Sequence, residues 1–205
     1  MKAYKTNLIL IFLLLGISPW AFSASAEMSS KHLRLVKDLM NNNLAYSQDA
    51  TTTNIIEWEE EIVDSLRQKK DYRNMFLMKQ MAVYAYSLQA KISEALKKAD
   101  AMMDEARLMK YNIGISLSYQ ALGDIYLNAG MRPEAVEEYE KAMKTLQATP
   151  HAEKIQERIF IQLVPTLIKL KRMDEAKAYL EHMSEICESK CLSPFLLYAY
   201  HAYYY

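Results

Sequence analysis

The sequence predicts an all-α fold, built as a solenoid of antiparallel helix pairs. The 205 residues contain only four Gly and five Pro, and the rest is rich in Ala, Leu, Met, Glu and Lys, which favour helices. From Lys31 onward, apolar residues recur at the spacing of a helix face. A short motif also returns along the chain at a nearly constant distance, which is typical of repeat architectures.

Turn signals at intervals of about 15 to 20 residues separate the predicted helices. These are 31–46, 54–69, 71–90, 92–110, 113–129, 132–147, 152–171, 173–188 and 194–205. Segment 47–53, which holds three consecutive Thr, is predicted to be a loop that caps the helix starting near Asn54.

The N-terminus is typical of an export signal. Two lysines precede the apolar run 8–17, and the small-residue triplet 24–26 follows it. A retained membrane anchor is the alternative, but a span needs about 20 apolar residues, and Ser18 and Pro19 interrupt this run. We therefore expect 1–26 to be a cleaved signal peptide of an exported, periplasmic or extracytoplasmic protein, and 27–205 to be the helical domain.

The charge balance argues against nucleic acid as a partner. The whole chain has 25 basic and 25 acidic residues; without Lys2 and Lys5 the balance is 23 − 25 = −2. Phosphate binding requires a surplus of Lys and Arg on one face, which this composition does not suggest. A polybasic membrane-binding patch is also missing from the sequence.

Three segments, 92–95, 132–135 and 173–176, share one pattern that ends in Glu-Ala. Their alanines are Ala95, Ala135 and Ala176, which follow one another at a spacing of about 40 residues. A repeat of this length accommodates two helices and their turns.

The middle copy carries a more detailed pattern, which continues on both sides of a turn at 128–130. Its members are Tyr119, Leu122, Gly123, Tyr126, Ala135, Tyr139 and Ala142. The small members reduce bulk where two helices approach, and the large ones fill the remaining space. Gly130 suits a helix end and Pro133 the first turn of the next helix.

This order and spacing resembles the tetratricopeptide repeat (TPR), over roughly residues 75–205. The resemblance implies a right-handed superhelical α-solenoid that binds a protein or peptide. The TPR period is about 34 residues, so the helices here are expected to be one or two turns longer. Val83 and Val164 replace the consensus small residue, which predicts wider helix separation or a shifted register. Pro165 predicts a kink.

The TPR resemblance also implies a ligand-binding concave face, lined by the first helix of each pair. The corresponding residues are Gln80, Tyr84, Gln120, Asp124, Arg158 and Ile161. TPR proteins that clamp a peptide carboxylate use Lys and Asn on this face. Neither residue type occupies these positions, which disfavours that subfamily.

No other motif indicates a catalytic, cofactor or metal site, so we expect neither an enzyme nor a bound cofactor. Cys187 and Cys191 leave two alternatives, a local disulfide or two free thiols. The four His are far apart in sequence and lack metal-ligand spacing. The acidic run 57–61 is interpreted as a solvated helix face around Trp58 rather than as paired catalytic carboxylates.

The aromatic segment 195–205 resembles the first helix of a further repeat, so we expect the natural chain to continue past Tyr205. Together with the export signal and the irregular repeats, this is similar to the exported TPR sensor region of bacterial membrane-bound histidine kinases or regulators. A membrane contact would then lie in the missing C-terminal part. The alternative is a self-contained periplasmic adaptor that scaffolds an envelope complex.

Overall fold

The computed structural model describes residues 48–190, and side chains from 55 to 183. This part of the chain forms seven helices and no strand, which confirms the predicted all-α class. They are α1 (Gln48–Gln68), α2 (Tyr72–Leu88), α3 (Ile92–Leu108), α4 (Asn112–Asn128), α5 (Arg132–Leu146), α6 (Glu153–Lys169) and α7 (Met173–Lys190).

The chain divides into two compact units, and the division falls within α3, between Met102 and Met103. In the described part of the first unit, α1 packs against α2. In the second unit, α4 packs against α5 and α6 against α7, while α5 contacts α6 and joins the two pairs. Consecutive helices joined by short turns and packed side by side form the predicted antiparallel pairs.

The apolar pattern of α5 shows why these helices pair. Its buried residues recur every three or four positions and form one continuous stripe, while the residues between them are exposed or half-buried. The buried residues are Ala135, Val136, Tyr139, Ala142, Met143 and Leu146. One face of the helix therefore packs inward along its whole length.

The predicted loop at 47–53 is wrong within the described residues, because α1 already begins at Gln48. Thr has a lower helix propensity than Ala by only about half a kcal/mol. Extending an existing helix adds a hydrogen bond for each residue, so three threonines at its start do not prevent helix formation. The predicted helices 31–46 and 194–205 lie outside the described residues.

The prediction of a fully solvated acidic run on α1 is also wrong at one position. Glu57, Glu60 and Glu61 are exposed, but Glu59 is only 7% exposed. It accepts a hydrogen bond from Lys98 Nζ at 2.5 Å. A run of five residues on a helix covers more than one face, so one carboxylate turns inward and pairs with a lysine.

Five of the helices end with the same backbone motif. In each, the second residue after the helix has a positive φ, between 51° and 81°, and the following N–H bonds back to a carbonyl in the last turn. The positive-φ residues are Lys70, Ala90, Lys110, Gly130 and Lys171. The 6→1 bonds, such as Lys91 N–H to the Tyr86 carbonyl at 3.0 Å, define the Schellman motif.

These turns explain the length of the repeat. Lys70, Ala90, Lys110 and Gly130 follow one another at equal intervals of about 20 residues, which is half of the repeat. Each interval contains a helix, and α2, α3 and α4 each have 17 residues. Two such intervals account for the spacing of the Glu-Ala motifs. They also confirm that the helices are longer than those of a repeat of about 34 residues.

The positive φ at Ala90 predicts that Ala90→Gly stabilises the protein. A left-handed conformation costs an L-residue about 1 to 2 kcal/mol, and the greater entropy of Gly in the unfolded chain offsets part of that gain. We expect the free energy of unfolding to rise by about 0.5 kcal/mol, measured by urea denaturation.

Gly130→Ala should have the opposite effect, because φ is +81° there and no atom lies within 4 Å of an added Cβ. The loss of stability in Gly130→Ala would therefore come from the backbone conformation alone. Ala129→Gly is the control, since Ala129 has an ordinary φ of −77° and gains nothing from Gly. A lower stability of Ala90→Gly would contradict the explanation.

Candidate functional site

The tightest helix contact in the second unit joins Gly123 on α4 to Tyr139 on α5. Tyr139 is fully buried. A Cβ added at Gly123 would lie 2.5 Å from Tyr139 Cε1 and 2.7 Å from Cδ1, closer than carbon atoms pack. Gly123 is therefore required because the tyrosine ring occupies the place of its side chain.

Two buried hydrogen bonds fix the same helix pair. The Tyr139 hydroxyl donates to Asp124 Oδ1 at 2.7 Å, and the Ser116 hydroxyl donates to the Ala142 carbonyl at 3.0 Å. Both bonds cross between α4 and α5 in surroundings where a hydrogen bond is strengthened by low polarity. Asp124 thus holds the pair together, whatever further role it has.

The flanking repeats have larger residues than glycine at the position equivalent to Gly123. When the repeats are aligned on their Glu-Ala motifs, Val83 takes the place of the glycine in the preceding copy and Ala99 that of the tyrosine. In the following copy, the two positions hold Val164 and Leu180. All four are buried. The preceding copy thus combines a larger residue at the first position with a smaller one at the second, while the following copy has a larger residue at the first position and Leu at the second.

The predicted binding residues differ in exposure. Tyr84 is 39% exposed and Ile161 is half-buried, while the other four side chains are buried. The buried four are Gln80, Gln120, Asp124 and Arg158. Gln80 and Tyr84 lie on α2 in the first unit, and the rest lie on α4 and α6 in the second.

Buried polar residues are concentrated on α2, α4 and α6, the helices that precede the three Glu-Ala motifs. Among residues 55–183, nine of the ten buried polar side chains lie on α2, α4 and α6, and the tenth is Glu59 on α1. The nine are Gln80, Ser87, Ser116, Ser118, Gln120, Asp124, Gln156, Arg158 and Thr166. The same helices carry the predicted binding residues.

No sequence pattern singled out Ser118 and Thr166, which are buried polar residues. Local hydrogen bonds explain how their hydroxyls can be buried. Ser118 donates to the Gly114 carbonyl at 2.9 Å, and Thr166 donates to the Gln162 carbonyl at 2.6 Å. Both hydroxyls bond to the carbonyl four residues earlier, a common way to satisfy Ser or Thr within a helix. The hydroxyls of both residues therefore have hydrogen-bond acceptors within their own helices.

In the second unit, α4 also contacts α6 directly. The family resemblance places Gln120, Asp124, Arg158 and Ile161 on one face of these helices, which we call the predicted α4/α6 face. Arg158 is buried at a position where the two preceding repeats have Leu77 and Leu117. Arg158 therefore places a polar side chain at a buried position that is apolar in the two preceding copies.

An ionic cluster joins the two helix pairs of the second unit. Arg172 donates to both carboxylate oxygens of Glu175, at 2.6 and 2.5 Å, and to Glu140 Oε1 at 3.3 Å. Burial raises the pKa of Glu140, and Arg172 opposes that shift. The hydrogen bond from Arg172 lowers the pKa of Glu175. One arginine thus connects α5 to the start of α7.

Two further features concern metals and membranes. Among the described residues, no three His, Cys, Asp or Glu side chains are grouped so as to hold a metal ion. No helix between residues 48 and 190 combines the length and the apolar character needed to cross a bilayer. Cys187 lies within α7, but its side chain and Cys191 lie outside the described part, so the local disulfide and the two free thiols both stay predictions.

Helices in consecutive antiparallel pairs, with small residues at their contacts, define a TPR-like all-α protein. The tetratricopeptide repeat family model matches residues 117–145 and 158–189. The first match covers most of α4 and α5, and the second covers most of α6 and α7. The TPR prediction is thereby confirmed for these two segments. No curated protein matches the sequence.

The paired volumes at positions 123 and 139 predict strong coupling between two substitutions. Tyr139→Ala alone should lower the free energy of unfolding by about 3 to 5 kcal/mol, and Gly123→Val alone by at least about 1 to 3 kcal/mol. The double variant recreates the residue pair of the preceding repeat. It should be more stable than the sum of the single effects implies, by at least about 1 kcal/mol.

A double-mutant cycle by chemical denaturation measures this coupling. Val136→Ala combined with Gly123→Val is the control, because Val136 is buried on α5 and is not among the nearest neighbours of Gly123. Strict additivity at positions 123 and 139 would show that the ring contact does not determine the helix spacing.

The ionic cluster predicts opposite pH dependences for two conservative variants. Because the folded state raises the pKa of Glu140, its contribution to stability is present below the unfolded pKa and is lost as pH rises through the folded pKa. The pKa of Glu175 is lowered, so its contribution is present above the unfolded pKa, about 4.3, and is lost as pH falls.

The stability of wild type relative to Glu140→Gln should therefore fall as pH rises above the ordinary pKa of a glutamate. Relative to Glu175→Gln it should rise as pH increases towards that ordinary pKa from below. Both carboxylates reach solvent, which keeps the changes small. Thermal melts on both sides of that pKa test the signs, and equal signs would contradict the assignment.

Proposed function

We propose that this chain is a non-catalytic module that binds a protein or peptide on the first helices of its repeats. TPR repeats generally mediate protein–protein binding, and the match over α4 to α7 is the observation that carries the proposal. The concentration of buried polar side chains on α2, α4 and α6 supports the same helices as the binding elements.

Two of the predicted binding residues reach the surface, and they suggest how each unit contributes to binding the partner. Tyr84 in the first unit presents an aromatic ring with a hydroxyl, a combination typical of binding hot spots. Ile161 in the second unit presents a partly exposed apolar side chain. We therefore propose that apolar side chains of the partner provide part of the affinity.

We further propose that the module acts outside the cytoplasm, as the sensor or interaction part of a bacterial signal-transduction protein. The export-like segment 1–26 supports this location. The second candidate, a self-contained periplasmic adaptor, is supported by the same segment. The reading frame beyond Tyr205 distinguishes them: a transmembrane helix with an output domain favours the sensor, and a stop codon favours the adaptor.

Export is predicted to depend on the N-terminal segment. Residues 1–47 fused to alkaline phosphatase, which folds only in an oxidising compartment, should give enzyme activity. A fusion that starts at residue 27 should give none. Equal activity of the two fusions, or no activity from either, would contradict the proposed location.

Binding is predicted to depend on Tyr84. The full chain is used to select binders from a displayed library of random linear peptides, and a selected peptide is then titrated by calorimetry. Tyr84→Ala should weaken binding about tenfold, the usual effect of losing a hot spot. Leu108→Ala is the matched control, because Leu108 is 86% exposed and lies outside the predicted set.

Failure to select any peptide would contradict peptide binding, and equal losses for the two variants would contradict the proposed position of the site.

A further inference from the structure

The most exposed large apolar side chain among residues 55–183 lies at one end of the second unit. Leu108, the last residue of α3, is 86% exposed, and the next residue, Met109, is 37% exposed. No other large apolar side chain in that range is more than 42% exposed. Single exposed apolar residues are common on proteins, so the groups around this pair decide what it indicates.

Two turns meet at this end of the second unit. Because the helices are antiparallel, alternate turns lie at the same end, which brings the α3/α4 turn beside the α5/α6 turn. Asn112 Nδ2, at the start of α4, donates to Thr149 Oγ1, in the α5/α6 turn, at 3.5 Å. The two turns therefore form one surface, although these residues are 37 positions apart in sequence.

Basic side chains surround the exposed apolar pair. They are Arg107, Lys110, Lys144 and Lys154, which lie in or next to the two turns and are all exposed. Segments 105–112 and 143–155 contain these four basic residues and two glutamates, so their net charge is 4 − 2 = +2, while the whole chain has a net charge of zero. We call Leu108, Met109 and the four basic residues the basic edge. Its members come from separate segments, so no basic run marks it in the sequence.

The turns at the opposite end of the second unit combine these features less well. Segments 128–135 and 169–176 have four basic and three acidic residues, a net charge of 4 − 3 = +1. One of the four, Arg172, already bonds to Glu140 and Glu175. Met131 is exposed there, as is Lys171, which has a positive φ like Lys110. This end therefore supplies matched controls.

We propose that the basic edge docks on the surface of an anionic lipid bilayer. Leu108 and Met109 enter the boundary between headgroups and acyl chains, where apolar side chains are favourable. The four basic side chains pair with lipid phosphates, since a negative surface attracts clustered Lys and Arg. The inference is independent of the proposed peptide binding, which uses other residues.

The projection of Leu108 favours lipid over an acidic protein as the partner. A side chain that is 86% exposed is enclosed only if the partner surrounds it. Lipids rearrange around a projecting side chain, whereas a folded protein needs a pocket of matching shape. Charge alone suits either partner, so the exposed leucine decides between them.

The test measures how fast individual lysines of the full chain react with acetic anhydride, with peptide mass spectrometry as the readout. Vesicles of neutral phosphatidylcholine are compared with vesicles that also contain anionic phosphatidylglycerol. Anionic vesicles should slow the acetylation of Lys110 and Lys154 and leave that of Lys171 unchanged. High salt should remove this protection. The apolar run 8–17 can bind either type of vesicle, so protection that requires anionic lipid isolates the basic edge.

Two pairs of matched variants test single residues. Lys110→Gln and Lys171→Gln each remove a lysine with positive φ from a turn, and Leu108→Gln and Met131→Gln each replace an exposed apolar residue. For Lys110→Gln and Leu108→Gln, the anionic lipid concentration that half-protects Lys154 should rise about fivefold, the usual contribution of one basic residue near such a surface. The other two variants should behave as wild type. Circular dichroism should be the same for all four, since every substituted side chain is exposed.

Equal protection of Lys110 and Lys171, or no protection by anionic vesicles, would overturn the inference. The same half-protecting lipid concentration for all four variants would also overturn it. Polyglutamate represents the alternative partner. If polyglutamate protects Lys110 and anionic vesicles do not, the basic edge binds an acidic protein and the bilayer assignment is wrong. None of these outcomes changes the test of peptide binding.

Discussion

The packing of the second unit depends on one contact, the ring of Tyr139 lying where Gly123 has no side chain. The contact brings α4 and α5 as close as a helix backbone and an aromatic ring allow. It also places the tyrosine hydroxyl at Asp124, so a steric fit and a buried hydrogen bond depend on the same side chain. The position of Asp124 on the predicted α4/α6 face is therefore a consequence of how the pair packs.

Helices α2, α4 and α6 combine two demands that usually conflict. They must bury enough apolar surface to pack against their partner helices, yet they retain nine of the ten buried polar side chains among residues 55–183. The hydroxyls of Ser118 and Thr166 donate hydrogen bonds to carbonyls of their own helices. The Ser116 hydroxyl donates to a carbonyl of α5. The buried side-chain oxygen of Gln120 accepts no hydrogen bond from the described residues.

Much of the fold could be predicted from the sequence because the signals are local or periodic. Six predicted helices from 71 to 188 correspond to α2 to α7, and Gly130 and Pro133 occupy the helix end and helix start expected of them. The pairing of Glu59 with Lys98 joins two helices that are far apart in sequence, which no local pattern indicates.

The candidate site was less predictable than the fold. Alignment with the repeat consensus placed six residues on α2, α4 and α6, but it did not reveal that four of them are buried. Burial depends on how closely the neighbouring helices pack, and a local sequence pattern does not specify that distance. The left-handed backbone conformation of the turns was not predicted for a different reason: Lys70, Ala90, Lys110 and Lys171 adopt a positive φ although Gly is the residue that favours it.

The regular spacing of these turns also limits how such a chain can change in length. From Lys70 to Gly130, each helix and its turn occupy the same length of chain, and a single inserted or deleted residue rotates the rest of a helix by about 100°. Such a change would turn buried positions outward along the remainder of that helix. Loss or duplication of a whole helix pair instead joins one turn to an equivalent turn and preserves every face. Evolution of this chain is therefore expected to proceed by steps of about 40 residues, with smaller changes confined to the longer turn between α5 and α6.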